Sequence, residues 1–315
     1  MKNAIILIMG FPGLKKDLYL QMLRDKKFKI FALDQYNHEK KDILKEWNSL
    51  VKTTETIRFA VHNSFPTIKT RKPFVNWAQS QKLPIHCRWL KGNISDAQFY
   101  IAQRMKTRYN ELLNEQAIRE NDDRDIFPQQ VLYRFRKLLE PPTPFQGFDS
   151  IKKVPLKRDR NPNKYENKAV IFDYDETLRS TKSGSKYPLS PKDIELLPHR
   201  KSRIREYKKK GYKLLGVSNQ SGIGKGDLTE EEAIACFEKT NQLLGFEIDY
   251  RFCPHHIFPP TCYCRKPIPG LGVDLIIDYE LDPSKTIMIG DMKSDQTFAE
   301  RCGFQFISSE KFFNS

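Results

Sequence analysis

The chain has 315 residues, 39% of them apolar, with 3 Trp, 13 Tyr and 21 Phe, enough for two ordinary cores and too many for a disordered chain. No run of roughly eighteen apolar residues occurs, so no membrane partner is expected; the apolar N-terminus reads as a buried strand rather than a signal peptide, and a soluble, intracellular protein is the expectation. The net charge of +15 is lopsided: residues 1–167 hold 32 Lys and Arg against 18 Asp and Glu, residues 168–315 hold 22 against 21. A basic segment joined to a neutral one points to a polyanion gripped by the first and processed by the second.

In chain order, residues 3–9 (NAIILIM) predict a strand, Gly10-Phe11-Pro12-Gly13 a loop, and Lys15–Leu23 a helix. Strands are predicted at Lys29–Ala32, Ile57–His62 and Ile85–Leu90. Helices are predicted most clearly at Asp96–Gln116 and Pro128–Leu139, and a further strand at Ser150–Pro155. Polar, Asn-rich residues follow, so the domains are placed at 1–157 and 168–315 with a linker at 158–167. The second half predicts strands at Ala169–Phe172, Lys213–Val217 and Thr286–Ile289, with helices near Lys192–Lys210, Thr229–Leu244 and Gly272–Tyr279. Such alternation gives two α/β domains, with polar residues just past the carboxyl ends of parallel strands, where open sheets bind ligands.

Asp173-Tyr174-Asp175-Glu176-Thr177-Leu178 follows the first of those strands. A carboxylate at a strand end can attack phosphorus, and a second one two residues on can serve as acid and then base. Ser218-Asn219-Gln220, Arg265-Lys266-Pro267 and Gly290-Asp291 with Asp295 come next in order. Together the four motifs resemble those of haloacid-dehalogenase phosphatases. The resemblance implies a Rossmann-like domain with a small or absent cap over residues 168–315. It also implies Asp173 as nucleophile, Asp175 as acid and base, and Lys266 as the neutralising cation. Ser218, Asn219 and Arg265 would bind phosphate, and Asp173, Asp175, Asp291 and Asp295 would hold Mg2+. Glu176 departs from the pattern, which has Gly there, and is expected to crowd the turn.

Cys253-Pro254-His255-His256 and Cys262-Tyr263-Cys264 supply three thiolates and an imidazole, a closed structural zinc set of Cys253, His255, Cys262 and Cys264. The pattern resembles the zinc loop of histidinol-phosphate and heptose-bisphosphate phosphatases.

Gly10-Phe11-Pro12-Gly13-Leu14-Lys15-Lys16-Asp17 resembles a P-loop with Lys15 in place of its last Gly and Asp17 in place of its Ser or Thr. Gly10, Gly13 and Lys16 are what remains for nucleotide. Asp34, His62-Asn63-Ser64-x-Pro66, and Arg104, Lys106 and Arg108 as a basic lid, are similar to polynucleotide kinase/phosphatases. That resemblance implies a degenerate P-loop-kinase-like first domain whose ATP-dependent activity is lost. Removal of a 3′-phosphate in nucleic-acid end processing is the expected function. The alternatives are a small phosphate ester as substrate, or a non-catalytic nucleic-acid-binding scaffold.

Overall fold

A computed structural model describes residues 3–156, 158–258 and 261–314; Lys157, the last residue of the expected first domain, lies outside the described residues. The chain divides into two compact units, one of Met1–Tyr100 and Asp122–Arg158, the other of Ile101–Asn121 and Asp159–Ser315.

The first unit carries β1 (Ala4–Met9), β2 (Lys29–Ala32), β3 (Arg58–His62), β4 (Ile85–Lys91) and β5 (Ser150–Pro155), in the order β2-β3-β1-β4-β5. All pairings are parallel. Central β1 reads AIILIM and every residue is buried, as a strand covered on both faces must be. Its helices are α1 (Asp17–Asp25), α2 (Lys40–Leu50), α3 (Ile68–Ser80) and α6 (Gln129–Leu138), together with the start of α4 (Ile94–Tyr109); α4 from Ile101 onward and α5 (Glu115–Glu120) belong to the second unit. Trp47 of α2 anchors one side of the sheet, with ring centroids 5.0 Å from Trp77, 5.4 Å from Phe59 and 5.5 Å from Phe74. The strand–loop–helix opening thus feeds a five-stranded parallel sheet, an α/β architecture.

The helix expected over residues 96–116 is two helices, α4 and α5. Asn110 takes a left-handed conformation (φ 60°), and Asn114 caps α5 by accepting from the Ala117 N–H at 2.9 Å.

The second unit is a Rossmann-like parallel sheet. Its strands are β6 (Ala169–Phe172), β9 (Lys213–Asn219), β10 (Asp249–Cys253), β11 (Ile287–Gly290) and β12 (Gln305–Ser308), ordered β10-β9-β6-β11-β12. Between β6 and β9 the chain inserts an antiparallel hairpin, β7 (Arg179–Thr181) with β8 (Ile194–Leu196). No larger cap stands there among the described residues. The helix expected from Lys192 is therefore corrected: its first part is β8, and α7 begins only at Arg200 and runs to Lys209. Pro198 and the left-handed His199 (φ 65°) separate the two. The remaining helices are α8 (Ser221–Lys225), α9 (Glu230–Leu244), α10 (Gly270–Asp278), α11 (Lys293–Cys302) and α12 (Ser309–Asn314). Among the described residues no helix is long and apolar enough to cross a membrane.

Candidate active site

Three neighbouring strands, β9, β6 and β11, deliver their carboxyl ends to one place. Asp173 continues the β6 pairing, its N–H donating to the Ile289 carbonyl at 2.9 Å. The buried Lys266 ammonium donates to Asp173 Oδ1 at 2.7 Å and to the Val217 carbonyl at 3.0 Å, and pairs with Asp295 Oδ1 at 2.8 Å. Burial pushes the Asp173 carboxyl up; Lys266 opposes the rise, and Asp295 and Asp175 add to it. Burial works against the charge on Lys266, but Asp173 and Asp295 outweigh it and hold the ammonium above its ordinary range. Asp173, Asp291 and Asp295 each offer an oxygen, all within 4.8 Å of one another. Such a set of hard oxygen donors suits a small divalent cation.

Asn219 explains why Lys266 arrives there. Its side chain accepts from the Lys266 N–H at 2.9 Å and donates to the Lys266 carbonyl at 3.0 Å, fixing the backbone on both sides. The Asn219 side chain is thus occupied in positioning the lysine. Ser218 Oγ accepts from Gln220 Nε2 at 2.8 Å, and Gln220 also reaches Asp175 Oδ2 at 3.2 Å.

Asp175 does not join the three-carboxylate cluster. Buried Arg179 holds it at 2.8 Å and is itself fixed by the Cys236 carbonyl at 2.7 Å and Thr240 Oγ1 at 3.0 Å. Of the four expected magnesium ligands, Asp175 alone has its carboxylate outside the cluster, its two oxygens facing Arg179 and Gln220. Arg179 was not foreseen, since it belongs to no recognisable spacing, and Gln220, though part of the second motif, carried no expected role. Glu176 adopts the left-handed turn (φ 57°) that favours Gly, at a cost of about 1 kcal/mol. Its N–H still closes the turn on the Arg179 carbonyl at 2.8 Å, and its side chain is exposed, so the turn is intact. A cavity of about 450 Å³ opens over these groups, with Lys186, Lys225 and Arg265 among its lining residues.

The Cys253, His255, Cys262 and Cys264 ligand atoms also lie within 4.8 Å of one another. Cys253 Sγ is 3.7 Å from Cys262 Sγ and 3.5 Å from His255 Nδ1, which is 3.2 Å from Cys264 Sγ. A tetrahedral zinc with Zn–S near 2.3 Å needs ligand edges of roughly 3.5–3.8 Å, so this donor set fits. His256 turns instead to the Phe258 backbone. The cluster begins at the end of β10, where Cys253 pairs with Asn219, and ends two residues before Lys266. A Cβ on Gly224 of α8 would collide with the His256 backbone, so the loop packs directly on the helix after Gln220.

In the first unit, Gly10, Gly13 and Lys16 lie in the loop from β1 to α1. A Cβ at Gly10 would come 3.1 Å from Leu90 Cβ, so close packing on β4 leaves little room for a side chain there. Burial pushes His62 down to about 4, with Lys16 adding to the fall and Asp34 opposing it. Lys16, Asp34 and His62 therefore share the carboxyl ends of β1, β2 and β3.

The lid expectation fails at Lys106. Its ammonium is buried against Asp278 at 2.7 Å, Asp274 at 3.0 Å and the Asn110 carbonyl at 3.0 Å, all within the second unit. A cation so enclosed cannot meet a phosphate; it fastens α4 to α10. Lys106→Met is expected to destabilise the protein by about 2 kcal/mol. The loss is limited because Arg251 still holds Asp274 at 3.0 Å and Asp278 at 3.3 Å. Thermal unfolding measures the loss, and turnover of a small ester should stay unchanged.

Residues 168–313 match the family model described as polynucleotide kinase 3 phosphatase. A Thermoplasma volcanium protein named "Probable D-glycero-D-manno-heptose-1,7-bisphosphate 7-phosphatase" is 31% identical over 144 residues, 44% of this chain and 96% of its own. The D-glycero-beta-D-manno-heptose-1,7-bisphosphate 7-phosphatase of Haemophilus influenzae is 32% identical over 138 residues, 41% of this chain and 73% of its own. Among solved structures, the D,D-heptose 1.7-bisphosphate phosphatase from B. bronchiseptica, complexed with magnesium and phosphate, is 25% identical with a TM-score of 0.40, over 45% of this chain and 79% of that one. With four motifs gathered at one sheet edge and a relative 31% identical matched over 96% of its own length, the chain belongs, through its second half, to the haloacid-dehalogenase family of phosphatases, hydrolases of phosphate monoesters.

Proposed function

We propose that this phosphatase removes the 3′-phosphate from a nucleic-acid end through an aspartyl-phosphate intermediate on Asp173. The observation that carries the chemistry is the buried Asp173–Lys266–Asp295 array at the open end of the sheet. Asp173 attacks phosphorus in line as the ester bond breaks, and Asp175 gives its proton to the leaving oxygen. Asp175 then takes a proton from the water that cleaves the acyl phosphate, restoring both residues. Arg179 and Gln220 aim Asp175 for both transfers, and Asn219 keeps Lys266 against the nucleophile. Magnesium held by Asp173, Asp291 and Asp295 supplies the positive charge that lets several carboxylates meet a phosphate dianion. A structural zinc on Cys253, His255, Cys262 and Cys264 fixes the segment leading into Arg265 and Lys266. The intact array argues against a non-catalytic scaffold.

The nucleic-acid reading is supported by the polynucleotide family match, the excess charge of residues 1–167 and the lack of a large cap. The relatives' names favour a second reading, a small sugar phosphate. A substrate panel at several salt concentrations separates them. Turnover of a 3′-phosphorylated oligonucleotide is expected to exceed that of small phosphates at low salt. Its apparent affinity should fall with a slope of about −0.7 to −0.9 per neutralised phosphate. Equal efficiency and equally flat salt dependence for both substrates would establish the small-molecule reading.

A further inference from the structure

The near-neutral balance of residues 168–315 conceals a separated charge distribution. Residues His199–Lys213 hold eight Lys and Arg against one Glu, whereas the rest of that half holds 14 against 20. The positive strip is α7 with the turn that follows it. Its inner side is fully engaged: Ile204 is buried, Arg203 donates to the Phe312 carbonyl at 3.0 Å, and Arg200 donates to the Thr177 carbonyl at 2.9 Å. The one acid, Glu206, is already bonded by Arg203 at 2.6 Å and Lys210 at 2.5 Å. On the outer side Lys201, Arg205, Lys208 and Lys209 are exposed, and none has an ion-pair partner among the described residues. Arg205 and Lys208 lie over the Phe246 ring, at 5.9 and 5.4 Å from its centroid, which lays their stems down and keeps their charges along the strip.

We propose that this strip binds the phosphodiester backbone of a polynucleotide, so that the phosphatase half grips nucleic acid itself rather than relying on the basic first half. As a statement about the natural partner it rests on the 3′-phosphatase reading above. A ten-residue helix spans about 15 Å, and phosphates on one strand advance about 3.4 Å each along the axis, so four cations match roughly four phosphates. A membrane-lying helix needs an exposed apolar face. Residues 199–213 contribute none of the exposed large apolar side chains. The strip also starts at the reacting centre, because Arg200 is fastened to Thr177, four residues after Asp173. A strand held along α7 has its end led toward that loop.

The test uses the full chain with the variant K201Q/R205Q/K208Q/K209Q and a labelled oligonucleotide that lacks a 3′-phosphate, read by anisotropy across a salt series. Binding at low salt is expected to weaken at least about tenfold, and the salt slope to flatten by about 0.7–0.9 for each phosphate no longer neutralised. Turnover of a small chromogenic ester should be unchanged, which shows that the fold is kept. If the quadruple variant loses that turnover, K208Q/K209Q replaces it, with about half the change in slope expected. Unaltered affinity and slope overturn the proposal. So does wild-type binding to phosphatidylserine vesicles with none to the oligonucleotide. Should the wild type fail to hydrolyse 3′-phosphorylated ends while the variant still loses oligonucleotide binding, the substrate reading falls and the strip stands.

Discussion

Asp173→Asn is expected to abolish phosphate release from every substrate, by at least about 10⁴-fold, while the protein stays folded. An amide has no charged oxygen with which to attack phosphorus. Folding should survive because the substitution keeps the shape, and Lys266 retains Asp295 at 2.8 Å and the Val217 carbonyl at 3.0 Å. The carboxyl is moreover pushed up by burial, with Lys266 opposing the rise and Asp295 and Asp175 adding to it, so the substitution removes a buried charge as well as an ion pair. Because Asp173 also belongs to the three-carboxylate cluster, lost turnover alone does not separate attack from metal binding. Acid-quenched enzyme supplies the distinction: wild type should carry phosphoryl label from substrate, and Asp173→Asn none. With an aryl phosphate whose leaving group needs no proton, Asp175→Asn should accumulate label, because activation of water for the second step suffers. Turnover of Asp173→Asn within tenfold of wild type, or label still bound to it, would remove Asp173 from the role.

The sequence was most legible where a short apolar run ends in a polar residue. AVIF before Asp173, LLGV before Ser218 and TIMI before Gly290 state both a buried parallel strand and the side chains at its open end. The Cys and His spacing was legible for a similar reason, since four ligand atoms that meet at one point need close partners in the chain. What was hidden depends on partners far apart in sequence. Nothing near Asn219 in the chain announces that its side chain holds both the N–H and the carbonyl of Lys266, 47 residues on. Lys106 looks like a lid cation until Asp274 and Asp278 enclose it. The residues from Lys192 were misread because their charged, intermittently apolar pattern suits a helix. The break at Pro198 and His199 is a backbone event that this periodicity does not register.

Removing zinc should be the second large effect, and it should act through Arg265. The four ligands close a loop between the end of β10 and the Arg265-Lys266 segment, and structural zinc sites contribute folding free energy directly. About one zinc per chain is expected by elemental analysis, and none in Cys262→Ser/Cys264→Ser. Without it the three buried thiols and His255 lose their common partner, and the loop no longer holds its packing on Gly224. The melting temperature should drop by roughly 10 °C. Catalysis should fall less than in Asp173→Asn, by roughly 10- to 100-fold. The reason is that Lys266 keeps its bonds to Asn219 on both sides and its carboxylate partners, whereas Arg265 loses its anchor on the His255 carbonyl of the zinc loop. Treating the wild type with a chelator and then restoring zinc should reverse both losses, which a misfolded variant would not do. Protein made with zinc available but containing none would refute the assignment. A chelated protein with unchanged melting temperature and turnover would refute the link from the cysteines to Arg265.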